Sequence, residues 1–255
     1  MEETGKNPIQ VAERLFQVIE RLAENGPMGI MDLSAELGFH KSTTHRLVTS
    51  LQYMGYIRQD EESLKYALSL KFLEIGSKIL EQTNMASLIH PSLKKLSEQT
   101  GETVHLVRRE GTEAVYIDKV ESTVSSIRMV SRVGSRIPLY CSGVGKALLA
   151  ELPDPEIEDI WNSSEITSLT PYTVTSLSDL MDRIRGVREA GYAMDDEENE
   201  EGVRCIAVSI PDYHKEPVYA LSISAPVSRM TDARIAEIFV ARGGDLDERG
   251  RLTAA

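Results

Sequence analysis

Apolar residues fall at helical spacing through the first hundred positions and then give way to β-branched, strand-like runs. Val11, Leu15, Val18, Ile19 and Leu22 make one stripe at i, i+3/i+4 spacing, which predicts a helix ended by Asn25-Gly26-Pro27. Ile30 to Leu37 predicts a second, short helix with Leu33 and Leu37 inward and Gly38 closing it. Ser42 is the expected N-cap of a third helix, whose buried face would be Leu47, Val48, Leu51 and Met54, with Gly55 as its stop. Tyr56 to Gln59 and Leu64 to Leu68 flank the polar run Asp60-Glu61-Glu62-Ser63, a hairpin signal. Three helices followed by a two-stranded wing is the winged helix-turn-helix pattern.

The helical period continues through Phe72, Leu73, Ile75, Ile79 and Leu80, which predicts a linker helix over residues 70–84 between a first domain, 1–69, and a second, 85–255. Pro91 is placed just before a helix from Ser92 to Thr100, ended by Gly101. Beyond it come strands at Thr103 to Arg108 and Ala114 to Val120, joined by the turn Glu110-Gly111-Thr112-Glu113. Ser125 to Val130, Cys205 to Ile210 and Val218 to Ser224 are further strands, and Gly143 to Leu152, Leu177 to Ala190 and Asp232 to Phe239 are helices. Strands mixed with helices predict an α+β second domain.

Charge changes the picture in one window. Of 255 residues, 40 are acidic and 28 basic, a formal net charge of −12. That argues against a general polyanion binder with a wholly basic surface. Yet no Asp or Glu occurs between Glu36 and Asp60, where Lys41, Ser42, Thr43, Thr44, His45 and Arg46 open the third helix. A segment kept free of carboxylates fits contact with an anion, and DNA phosphate is the natural one. Screening over roughly 10 Å lets a local cationic footprint work on an acidic protein. In this reading Arg46 offers two donors to guanine, His45 meets a base or phosphate, Lys41 a phosphate, and the hydroxyls of Ser42, Thr43 and Thr44 meet phosphates or base edges. The plainer alternative is a solvated helix face. Arg14, Arg58 and Lys65 are ambiguous surface charges, and the acidic wing tip argues against deep insertion into a groove.

Other chemistry is sparse. The five histidines are scattered without a metal or hydrolase motif, and the acidic run Asp195 to Glu201 lacks the spaced loop of an EF-hand. No catalytic residue, metal or cofactor is expected. Cys141 and Cys205 form no disulfide framework, the first residues are polar rather than a signal peptide, and no apolar run approaches bilayer length. A soluble, cytoplasmic protein without a membrane partner is expected. Gly143-Val144-Gly145 opens a helix, where free N–H groups can hold a carboxylate, or where glycine simply serves a tight turn. Ser222 and Ser224 share one face of a strand. A sensing or protein-docking module without DNA binding, and an enzyme, are the competing classes. A docking face would show an exposed aromatic or aliphatic anchor on the third helix, and an enzyme would need a nucleophile with its base.

The chain resembles the isocitrate-lyase-regulator (IclR) family of bacterial transcription factors over nearly its whole length. The carriers are Lys41-Ser42-Thr43-Thr44-His45-Arg46-Leu47 with Gly55-Tyr56, Ile127-Arg128-Met129, Gly134 to Tyr140, Ser142 to Ala150, Thr170-Pro171-Tyr172-Thr173, Gly191 to Glu198, Gly202 to Ala207 and Ala220 to Ser224. The resemblance implies a winged-helix reader, a linker helix and a GAF-like effector domain, assembled as a dimer or a dimer of dimers on a palindromic or near-palindromic operator, with repression the favoured sign. It also implies that Gly143, Val144, Asp195, Cys205, Ser222 and Ser224, with Met129 and Ile137 as apolar wall, line a pocket for a small carboxylate effector such as a keto, sugar or aromatic acid. The polar tail from Gly243 departs from the family pattern, which continues its last helix there.

Overall fold

The computed structural model of this chain describes residues 8–82, 84–122, 130–210, 216–240, 245–246 and 252–253. It divides into two compact units, Met1–Thr83 and Asn84–Ala255.

The first unit contains α1 (Gln10–Asn25), α2 (Ile30–Leu37), α3 (Lys41–Tyr53), the wing strands β1 (Ile57–Gln59) and β2 (Tyr66–Leu68), and α4 (Lys71–Gln82). Gly26 at φ +73° and Gly38 at φ +65° take the left-handed backbone that ends α1 and α2. Val18, Leu22, Leu33, Leu47, Val48, Leu51, Ile57 and Tyr66 close one core. The apolar stripe of α1 buries only from Leu15 onward, because Val11 is exposed. Met54 is 39% exposed and is not part of the α3 buried face; α3 has already ended at Tyr53. Ser42 is not the cap either. His40 is the last extended residue, at φ −63° and ψ 141°. Its carbonyl accepts the first helical bonds from Thr43 and Thr44, at 2.9 and 3.0 Å. Ser42 therefore sits inside the first turn.

The wing is an antiparallel pair with Ile57 opposite Leu68, and the Asp60 carboxylate closes its turn by accepting the Ser63 N–H and O–H. Lys71 donates to the Met54 carbonyl at 2.7 Å and lies over the Tyr56 ring, while Phe72 packs 5.2 Å from that same ring. These contacts tie the first turn of α4 to the first unit.

The second unit runs α5 (Asn84–Thr100), β3 (Thr103–Glu110), β4 (Glu113–Val120), β5 (Arg136–Pro138), α6 (Gly143–Ala150), α7 (Asp154–Ser163), α8 (Leu177–Ala190), β6 (Ala193–Asp196), β7 (Val203–Ile210), β8 (Tyr219–Pro226) and α9 (Asp232–Val240). Pro91 lies inside α5 rather than ahead of it, so the helix begins well before Ser92 and tolerates one missing N–H. The strands form one antiparallel sheet in the order β5-β4-β3-β8-β7-β6. One face packs α6, α7 and α8 through Val107, Leu148, Ile157, Leu180, Ile184 and Ala207. The other packs α5 and α9 through Leu93, Val104, Leu106, Ile223, Ile235 and Ile238. Alternation along β3 and β8 sends neighbouring side chains to opposite cores. The strand expected at 125–130 falls almost entirely outside the described residues. In the tail, β9 (Asp245–Leu246) pairs with β10 (Leu252–Thr253).

Candidate nucleic-acid interface and ligand cavity

The apolar stripe of α3 turns Leu47, Val48 and Leu51 inward, which leaves Lys41, Ser42, His45, Arg46, Thr49 and Ser50 outward. Thr43 is half-buried. Thr44 is 0% exposed, and its hydroxyl points back to the His40 carbonyl at 3.4 Å. It is therefore not offered to an outside surface, because helical geometry places it one turn ahead of Val48, on the face that meets the core. No carboxylate pairs with Lys41 or Arg46 among the described residues, whereas Arg21 on α1 is paired with Glu24 and Glu36. Arg14 lies over the ring of Phe39, 5.4 Å from its centroid, just ahead of α3. Lys41 and Arg46 at the start of α3 thus remain available to a ligand, whereas Arg21 is held by its own unit's carboxylates.

The second unit holds a small cavity of about 30 Å3 that opens to solvent. The sheet register builds its floor. Asp195 on β6 stands opposite Cys205 on β7, Cys205 opposite Ser224 on β8, and Ser222 opposite His105 on β3, so one polar row crosses four strands. The N-terminus of α6 forms the roof. Ser142 caps that helix by accepting the Gly145 N–H at 3.1 Å and donates its own hydroxyl to the Pro138 carbonyl at 2.6 Å. The N–H groups of Gly143 and Val144 lie in the first turn and have no intrahelical acceptor. A side chain at Gly145 would come within 2.2 Å of the Leu139 carbonyl oxygen, so close approach explains that glycine. At Gly143 a methyl group would only touch Asp195 and Ala207 at ordinary distances.

Ile137, Gly143, Val144, Asp195, Cys205, Ser222 and Ser224 all line this cavity, together with His105, Tyr116, Ser131 and Asn199. Met129 lies outside the described residues. Sequence reasoning missed His105, although alternation along β3 would have put it on one face with Thr103 and Val107. That this face meets Ser222 depends on the pairing of β3 with β8, which no local pattern encodes.

His105 is buried, with its Nε2 2.8 Å from the Ser131 hydroxyl and its Nδ1 3.3 Å from Ser224. Burial, helped by Lys119, pushes its pKa down to about 3, so the ring is neutral. Burial pushes the Asp195 carboxyl up to about 7, against Lys146 and the Glu198 N–H, which act in the other direction. Burial also raises the Cys205 thiol and pushes Cys141 to about 12. Neither sulfur is a thiolate near neutrality, so neither is an activated nucleophile. No cluster of three metal-binding side chains occurs among the described residues, and among them no helix is long and apolar enough to cross a membrane.

Two family models match the chain: the IclR helix-turn-helix domain over residues 11–61 and the bacterial transcriptional regulator IclR C-terminal domain over residues 77–241. The acetate operon repressor of Salmonella typhimurium is 37% identical over 90% of this chain and 85% of its own length. The HTH-type transcriptional regulator KdgR of Escherichia coli is 37% identical over 91% of this chain and 89% of its own. Among solved structures, Thermotoga maritima IclR superimposes with a TM-score of 0.76 at 32% identity, covering 90% of this chain and 92% of that one. With family models matched over both the helix-turn-helix unit and the α+β unit that holds the polar cavity, this chain belongs to the IclR family of bacterial transcriptional regulators.

Proposed function

We propose that the protein is a repressor that binds a near-palindromic operator through paired α3 helices and loses or gains DNA affinity when a small organic acid enters the cavity of the second unit. The observation that carries the DNA reading is the outward face Lys41, Ser42, His45, Arg46 on a carboxylate-free helix. Arg46 carries base readout and Lys41 phosphate contact. Thr44 is dropped as a contact because it is buried. In a mobility-shift titration, Arg46→Ala should weaken operator binding by roughly 1–3 kcal/mol and relax preference at one base position per half-site. Unchanged affinity and base preference would overturn the assignment.

The acid reading rests on the free N–H groups of Gly143 and Val144 opposite Ser222 and Ser224. The cavity has room for about two water-sized molecules, so of the three acid classes a short keto acid asks for the least widening. The double variant Ser222→Ala, Ser224→Ala should weaken the acid by about 1.5–3 kcal/mol per lost bond, read by calorimetric titration. Operator binding without ligand should be unaffected.

Assembly as a homodimer or dimer of dimers is supported by apolar residues that a single chain leaves uncovered. Phe16 on α1, Leu70, and Leu73 on α4 are 61%, 81% and 69% exposed. One winged helix is also too small an interface for tight specific binding.

A further inference from the structure

Asp195 occupies the cavity wall that a bound carboxylate would have to approach, and among the described residues the cavity lining contains no Lys or Arg. Its Oδ1 accepts the N–H groups of Glu198 and Asn199 at 2.8 and 3.3 Å. Behind it lies a second buried carboxylate, Glu198, 2% exposed, whose Oε1 is 2.5 Å from Lys146 Nζ. The other oxygen, Glu198 Oε2, is buried without a hydrogen-bond partner. Lys146, on α6, is 1% exposed. One buried cation therefore faces two buried carboxylates. With both ionised the group carries an excess negative charge, and an anionic ligand would double it in a poorly solvated space.

Among the described residues, the surrounding groups offer no relief. His105 on β3 is neutral, and the nearby Lys119 donates to the Ser131 carbonyl at 2.8 Å and pairs with Glu121. Tyr116 on β4 and Cys205 on β7 have their ionisation pushed up by burial, as does Cys141 ahead of α6. Glu200 adds another carboxylate at the cavity. The neighbouring Asp196 is held by Arg204 at 2.7 and 2.9 Å, so that guanidinium is committed elsewhere.

We propose that Asp195 meets the effector as the neutral acid, donating a hydrogen bond to the ligand's carboxylate, so that each bound anion brings one proton from solvent onto Asp195. This rests on the reading of the cavity as a carboxylate site. Burial already holds the Asp195 carboxyl near pH 7, so the ligand has only to complete a protonation that the fold favours. Asp195 then acts as a specificity element: it accepts monoanions and neutral hydroxyl groups, and it disfavours ligands that keep two charges.

The test is calorimetric titration of the full-length protein with pyruvate, gluconate and benzoate, at pH 5.5 in MES and in Bis-Tris and at pH 8.5 in Tris and in EPPS. The difference between buffers reports protons exchanged. About one proton should be taken up per acid at pH 8.5 and almost none at pH 5.5, with affinity roughly thirtyfold weaker at the higher pH. Asp195→Asn should abolish both the uptake and the pH dependence, whereas Glu198→Gln should keep the uptake. An acid that binds at pH 8.5 without proton exchange, and whose binding is lost in Ser222→Ala, Ser224→Ala, overturns the proposal and leaves the cavity reading standing. Failure of all three acids to bind at pH 5.5, or binding indifferent to the two serines, overturns the cavity reading and the proposal with it.

Discussion

Thr44 and Arg46 are two positions apart, and the turn of α3 gives them opposite lives. Thr44 is buried with its hydroxyl on its own helix backbone, so Thr44→Val, which removes only that local bond, should leave operator affinity within about twofold, measured by fluorescence anisotropy beside Arg46→Ala. Asp195 and His105 show the same dependence on surroundings through protonation. The Asp195 pKa is raised from 3.8 to about 7, so the folded chain holds a proton that the unfolded chain releases. Its contribution to stability is present below pH 3.8 and is lost as pH rises towards 7. For His105 the folded value is depressed from 6.5 to about 3, so its contribution is present above 6.5 and is lost as pH falls towards 3. The two slopes oppose each other in the overlap. Asp195→Asn should remove the first slope, gaining up to about 4 kcal/mol on the parent at pH 8 relative to pH 4. Urea unfolding midpoints at the two pH values check this, and a gain that is equal at both would refute it.

At the scale of elements, α6 carries the most constraint per residue. Gly145 has no room for a Cβ against the backbone of Leu139, so Gly145→Ala should destabilise by at least 1–3 kcal/mol or so, visible as a lower thermal midpoint. Gly143→Ala should fold nearly normally and still impair acid binding, because its methyl group would enter the space beside Asp195. Helices with strong periodicity were legible from the sequence: α2 and α8 begin and end where spacing and glycines place them. The short edge strands β5 and β6 were not, since three or four residues cannot show a period of two. The helix α7 had a signal in its Pro155 and first-turn acids, and went unread because its apolar spacing is thin. The α5 boundary was misplaced because a proline suggests a helix start, while packing of Leu93 against the sheet holds the helix through it.

For the molecule as a whole, the net charge of −12 coexists with a carboxylate-free helix that exposes Lys41, His45 and Arg46, because charge is distributed unevenly. Lys41→Ala should reduce the slope of log affinity against log salt by about 1 for each reader engaged, while base preference stays as it was. Anisotropy titrations at several salt concentrations measure it. A slope that does not change would remove Lys41 from the phosphate contacts. Light scattering at micromolar concentration should report a dimer or tetramer, and a monomer with and without DNA would exclude paired readers.

The sequence by itself determined the three helices and wing of the first unit, most of the longer helices and strands of the second, and the carboxylate-free face of α3, because helical period, glycine stops and a gap in carboxylates are all local signals. It also placed Ser222 and Ser224 on one face, since alternation needs only neighbours along the strand. What only the tertiary structure decided is which distant residues share that face. His105 joins the cavity because β3 pairs with β8. Lys146 becomes a buried counter-charge because α6 lies across β6 and β7 and brings it to Glu198. Burial, hydrogen-bond partners and protonation state belong to the space around a side chain, and that space is assembled from strands far apart in the chain.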